Sequence, residues 1–197
     1  MYEVISFHIR GLVPCIMHNG QLADPMNDIS RQMKQYTSIK KKTDDVLEKI
    51  SDLEVLGGLY VDDNKHPAWP GFVIEAMIRS AAKRQRRGND VLSAVICDGN
   101  FPLIYDGPKD AEKVAKDPRF RLRVACVVDR KRIMRSRPMF PKWELKFDVH
   151  YEPSVLNADT VAGFVKDAGQ YVGLSTWRPK YGRFEVIEVV QMVPKAA

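Results

Sequence analysis

Between residues 129 and 143 the sequence interleaves cations with large apolar groups: Asp129-Arg130-Lys131-Arg132-Ile133-Met134-Arg135-Ser136-Arg137-Pro138-Met139-Phe140-Pro141-Lys142-Trp143. Guanidinium and ammonium groups pair with phosphates, and thioether or aromatic groups stack on or wedge between unpaired bases. Such a stretch supports contact with single-stranded nucleic acid. The plainer alternative is a β-hairpin whose apolar residues pack on the protein body. Charge distribution favours the first reading. Residues 119–142 hold nine Arg or Lys against the single acid Asp129, a formal +8 in a chain of +6, so the other 173 residues carry −2. A concentrated positive patch on a near-neutral body is the footprint of a polyanion binder. Arg121, Arg123, Arg130, Lys131, Arg132, Arg135, Arg137 and Lys142 are therefore candidate nucleic-acid contacts.

A second constellation runs from Val172 to Phe184. A helix end passes through a Gly-bounded loop carrying Trp177, Arg178, Lys180, Tyr181 and Arg183 into the last strand. Main-chain N–H groups near Gly173 and Gly182 are expected to meet phosphate there, with Arg178, Lys180 and Arg183 alongside. A helix-terminating turn followed by a surface loop is the alternative. Trp177 stands between Thr176 and Arg178, so the loop cannot easily bury it within its own turn. It is expected to stack on a base or to anchor a neighbouring subunit.

Metal-independent RNA cleavage needs a base near the 2′-hydroxyl and a cation for the developing charge. His8, His18, His66 and His150 are the histidines that could supply such a base. No two histidines are close in sequence, and a lone His on a strand is more often structural. Nucleophile triads, Walker loops, HExxH and dinucleotide fingerprints are absent. Cys15, Cys97 and Cys126 are odd in number and widely spaced, which argues against a disulfide framework or a zinc site and for a reducing cytoplasm. No metal and no cofactor is expected. No apolar run approaches the roughly 20 residues that span a bilayer, and the start of the chain lacks signal-peptide character. The expectation is a non-catalytic binder of single-stranded RNA or DNA, RNA being favoured, with no membrane partner.

Several elements must position these groups. Residues 2–12 alternate as a half-buried strand, with Ile5, Phe7 and Ile9 on one side. Turn chemistry from His18 to Pro25 opens a helix with Met26, Ile29, Met33 and Tyr36 on one face, and Thr43 caps a second helix ending at Gly57-Gly58. Pro70 suits the first turn of a helix whose Val73, Ile74, Met77, Ile78, Ala81 and Ala82 form an apolar stripe ending at Gly88. Asp90–Cys97 reads as a strand, and 98–118 as loop with a short helix at 111–116. Strands follow at 120–128 and 143–151, then a helix capped by Asn157 and a last strand at 184–190. Setting aside the helical insertion at 14–69 and the extra strand at 90–97, the order is βαββαβ. The expected fold is thus α+β, a ferredoxin-like core of the kind RNA-recognition motifs use, in one domain of 197 residues. Trp143, Phe147 and Tyr151 should then be buried together with Ile5, Phe7 and Ile9.

At this point the residues resemble a known family. The Gly173–Gly182 loop between last helix and strand, the Pro70-Gly71-Phe72-Val73-Ile74-Glu75-Ala76-Met77-Ile78-Arg79 helix start, the 14–69 insertion and the 129–142 hairpin are similar to features of the RAMP superfamily. That superfamily supplies backbone subunits and RNA-processing enzymes of CRISPR complexes. The resemblance implies a finger-like insertion, a thumb-like hairpin, and a chain that oligomerises along a strand or joins a nucleoprotein complex. It also implies two alternatives, a metal-independent endoribonuclease using a His or an insertion Asp (Asp24 or Asp28), and a phage protein that imitates a backbone subunit. The wording of 18–25 and 177–184 is similar to phage-encoded proteins, which keeps single-stranded-DNA binding or annealing open as well.

Overall fold

The structure is a computed structural model that describes residues 1–128 and 130–192. In chain order its elements are β1 (Glu3–Gly11), β2 (Cys15–Ile16), α1 (Asp28–Thr37), α2 (Asp44–Gly58), β3 (Ala68–Pro70), α3 (Gly71–Ala82), α4 (Gly88–Ala94), β4 (Val95–Ile96), β5 (Asn100–Ile104) and α5 (Ala111–Lys116). Then come β6 (Arg121–Val128), β7 (Lys131–Phe140), β8 (Glu144–Tyr151), α6 (Ala158–Asp167) and β9 (Phe184–Met192). They form two compact units, one built from 1–15, 68–106 and 141–197, the other from 16–67 and 107–140.

The first unit centres on β1, which pairs antiparallel with β8 on one edge and with β9 on the other. The sheet order is β3-β5-β8-β1-β9, with β4 also on β8. Period-two alternation decides which side is covered. Ile5, Phe7 and Ile9 face Val149, Phe147 and Leu145 across the ladder, and all six are buried. Phe7 and Phe147 stack with centroids 5.4 Å apart. Trp143 and Tyr151 are buried as well, as the alternation requires. Helix α3 contributes Ile74, Met77, Ile78, Ala81 and Ala82 to the core, and α6 contributes Val161, Phe164 and Val165. The Asn157 side chain accepts the Thr160 N–H at the start of α6, satisfying a donor the helix cannot satisfy itself.

Three expectations need correction here. Residues 88–94 are helical, and only Val95–Ile96 is strand. Val91, Ala94 and Val95 are buried at i, i+3 and i+4, and Arg87 pairs with Asp90 at 2.8 Å, so the helical period wins over the β-branched composition. Asn100–Ile104, expected as loop, is a strand on β8 through Leu103 and Ile104. Third, β6 (expected at 120–128 within the main sheet) lies in a separate sheet of order β2-β7-β6. Its partner β7 begins at Lys131, and pairing with the chain's next segment closes a far shorter loop than any crossover to β8.

The second unit places α2 against β7. Ser51 and Ser136 hydroxyls meet at 2.6 Å, and the buried Glu54 carboxylate accepts the Arg135 guanidinium at 2.6 Å and the Ser136 N–H at 2.7 Å. Val55, Leu59, Met17, Val114, Ala115, Phe120 and Phe140 are buried in this unit, with Phe120 and Phe140 rings 5.6 Å apart. The Met17 N–H donates to the Pro138 carbonyl at 3.1 Å, and Gly58 lies so close to Pro138 that a Cβ there would come within 2.8 Å of its ring.

In the first unit the chain between α6 and β9 closes on itself at Gly182, whose φ is +77° and whose added Cβ would lie 2.4 Å from the Leu174 carbonyl oxygen. Gly182→Ala therefore combines left-handed strain with a backbone clash and is expected to lower stability by about 2–4 kcal/mol. Urea unfolding of the variant beside Gly163→Ala, a site with open space around it, checks this. Equal midpoints would refute it.

Candidate nucleic-acid interface

The β6–β7 register sorts the basic residues. Arg121 opposes Pro138, Arg123 opposes Ser136, Val124 opposes Arg135 and Val127 opposes Arg132. Near the base of the hairpin the cations are engaged. Arg121 donates to the Asp52 carboxylate and, at 2.6 Å, to the Ala115 carbonyl. Arg119 chelates Asp117 at 2.7–3.1 Å, which holds that carboxyl below its usual range through the Arg119 hydrogen bond first. Arg135 is held by Glu54. Towards the turn the picture changes. Arg130, Lys131 and Arg132 are exposed there, beside Val127 at 69% and Met134 at 51% exposure, and Arg123, nearer the base opposite Ser136, is exposed as well. Arg130 sits in the turn with φ +64°; Asp129 lies outside the described residues. Cations and apolar side chains are thus presented together to solvent, as single-strand contact requires. Lys142 is exposed too, but belongs to the first unit.

In the loop from Gly173 to Arg183, Arg178, Lys180 and Arg183 are exposed and Trp177 is half-buried. The Trp177 and Tyr181 rings lie 6.1 Å apart. The N–H groups expected to meet phosphate are engaged inside the fold. Gly173 N–H donates to Ala168, Leu174 to Gly182, Tyr181 to Trp177 and Gly182 to Pro14, at 2.7–3.0 Å. Any anion contact here therefore falls to the side chains.

The sheet side opposite Phe7 and Phe147 carries Ser6, His8 and Arg10 of β1 and Glu144, Lys146 and Asp148 of β8. Their groups satisfy one another. Ser6 donates to Asp148 at 2.5 Å, His8 Nε2 meets Glu144 at 2.7 Å, and Arg10 donates to Glu144 at 2.8 Å. The Arg10 hydrogen bond is the main cause that lowers the Glu144 pKa. The one ring among these six residues is the His8 imidazole, and it is engaged by Glu144.

Among the candidate catalytic groups, His8, His18 and Asp24 are apart from one another in role. His8 is built into that ion-pair network. The Asp24 carboxylate caps a turn by accepting the Met26 N–H at 2.8 Å. His18 lines a cavity of ≈ 390 Å³ in the second unit, together with Arg135, Arg137, Leu22 and Met33. No sequence signal marks that cavity, because its lining comes from two distant segments, His18 to Gly58 and Cys126 to Arg137.

Desolvation, and secondarily the Arg137 charge, lower the His18 pKa from 6.5. Both favour the neutral imidazole. The folded state thus resists protonating His18, and this contribution to stability is present above pH 6.5 and is lost as pH falls through the folded pKa. Arg137→Gln is expected to raise the His18 pKa part of the way back, since burial is the larger cause. An NMR titration of His18 checks this, and an unchanged midpoint would show that Arg137 does not act on it.

Among the described residues no helix is long and apolar enough to cross a membrane. No family model and no curated protein matches the sequence. Among solved structures, the chain is similar in fold to a chain of a type III-B Cmr-beta complex bound to cognate target RNA, determined by cryo-EM. The TM-score is 0.54 at 10% identity, over 97% of this chain and 61% of that one. This chain therefore spans about three-fifths of the neighbour's length, and at this identity the likeness is one of fold.

Proposed function

We propose that this chain is a RAMP-like, non-catalytic binder of single-stranded RNA that grips its strand with the exposed cations of the β6–β7 hairpin and works within a nucleoprotein complex. The observation that carries this reading is the division of the basic residues. Arg119, Arg121 and Arg135 are neutralised by carboxylates, whereas Arg123, Arg130, Lys131 and Arg132 stand exposed beside Met134 and Val127. The fold likeness to a chain from an RNA-bound assembly supports RNA over DNA. The sheet order supports a ferredoxin-like reading of the first unit, with β4 and β5 in the place of the second strand and α3 and α6 as the crossovers. On this reading the insertion after β1 plays the finger and the hairpin the thumb.

Each phosphate contact on a single strand contributes about 0.7 to the log–log salt slope. Neutralising Arg123, Arg130, Lys131 and Arg132 to Gln together should flatten that slope by about 2–3 and weaken binding of a uridine oligomer. Anisotropy titrations over a range of salt measure both quantities. If the folded variant keeps slope and affinity, the hairpin is not the binding element.

Trp69 and Trp143 are each only 2% exposed, which leaves Trp177 as the tryptophan within reach of a ligand. Quenching of tryptophan emission by the oligomer, abolished in Trp177→Phe, is the expected signature of stacking. A concentration-dependent mass that collapses in Trp177→Ala would instead make Trp177 a subunit contact.

A further inference from the structure

The ≈ 390 Å³ cavity of the second unit plays no part in the strand-binding reading. Its volume lies in the range of small-ligand sites, and its lining is mixed. Arg135, Arg137 and His18 stand together with the apolar Leu22, Ala23 and Met33. The buried Glu54 carboxylate is turned to Arg135 and to the Ser136 N–H. Arg135 is committed to Glu54, and Arg137 lies two residues further along β7 on the same strand side. A ligand suited to this space combines an anionic group with a flat, weakly polar body. A guanidinium favours phosphate, which it can meet with forked donors. Thioether and aliphatic groups favour the face of a base over a sugar, whose hydroxyls would lack partners there. A shallower depression shares Leu22 and Ala23 and carries Arg31 and Lys34, giving a cationic path outward for further phosphates.

We propose that this cavity binds one phosphorylated nucleotide, either a free nucleoside monophosphate or the terminal residue of a strand, with phosphate on Arg137 and the base against Leu22, Ala23 and Met33. The site does not rest on the hairpin reading, and either can stand without the other.

Calorimetric titration of the full chain with AMP, UMP, adenosine and inorganic phosphate tests it. A saturable heat is expected for a monophosphate, with adenosine and phosphate alone weaker by about tenfold or more. Arg137→Gln should weaken monophosphate binding about tenfold or more, and Ala23→Trp, placed at an exposed position to fill the cavity, should abolish it. The Arg123, Arg130, Lys131 and Arg132 quadruple Gln variant should bind monophosphate unchanged, which separates this site from the hairpin. In that quadruple variant, short oligoribonucleotides with and without a terminal phosphate identify the source. Displacement of AMP by the phosphorylated oligomer alone assigns a strand end, and displacement by neither assigns the free nucleotide. Absence of saturable heat with both monophosphates overturns the proposal, as does monophosphate binding that survives intact in Ala23→Trp. Should Arg137→Gln lose its thermal transition, Ala23→Trp decides alone.

Discussion

A carboxylate buried between a helix and a strand governs what the basic half of this protein can do. Glu54 is 7% exposed, and burying an unpaired carboxylate costs several kcal/mol, so its two donors are a condition of the fold. The Arg135 guanidinium and the Ser136 N–H supply them. One turn of α2 thereby fixes the hairpin, because Ser51 meets the Ser136 hydroxyl and Asp52 takes Arg121. The consequence is a partition of charge along a single hairpin. Arg121 and Arg135 are structural, and Arg123, Arg130, Lys131 and Arg132 face solvent. The same anchoring holds Arg135 and Arg137 in the lining of a cavity that also carries Leu22, Ala23 and Met33.

The first unit reaches the opposite balance. Its central strand β1 is hydrogen-bonded on both edges, so one side chain in two is committed to the core and the other to the uncovered side. On that uncovered side cations and anions neutralise one another through Glu144, Arg10, His8, Ser6 and Asp148. A surface whose charges are already paired gains little by meeting phosphate. Its His8 ring is taken up by Glu144. The proposed nucleic-acid contact accordingly falls to groups projecting from the sheets: the exposed cations of the hairpin in the second unit, and the Trp177 loop of the first. That loop holds its shape through Gly173 and Gly182, at whose positive φ its two arms come within contact of each other. The main-chain donors that hold those arms together are the ones that would otherwise have been offered to an anion.

Local pattern alone determined a good part of this protein. Alternation around Phe7 and Phe147 placed β1 and β8, and the cap at Asn157 and the Pro70-Gly71 step placed helix starts to within a residue or two, because these signals involve only neighbours in the chain. The local density of cations at 119–142 was equally legible. What alternation cannot state is a partner. It gave β6 its faces but not its sheet, and it read Asp90–Cys97 as strand where a helix buries Val91 and Ala94. Only the tertiary structure decided which arginines are neutralised, since Glu54 and Arg135 are 81 residues apart and Asp52 and Arg121 are 69 apart. Such pairs form because each carboxylate had to find a donor in the space that packing left it. That condition belongs to the folded chain and leaves no mark on the sequence around either residue.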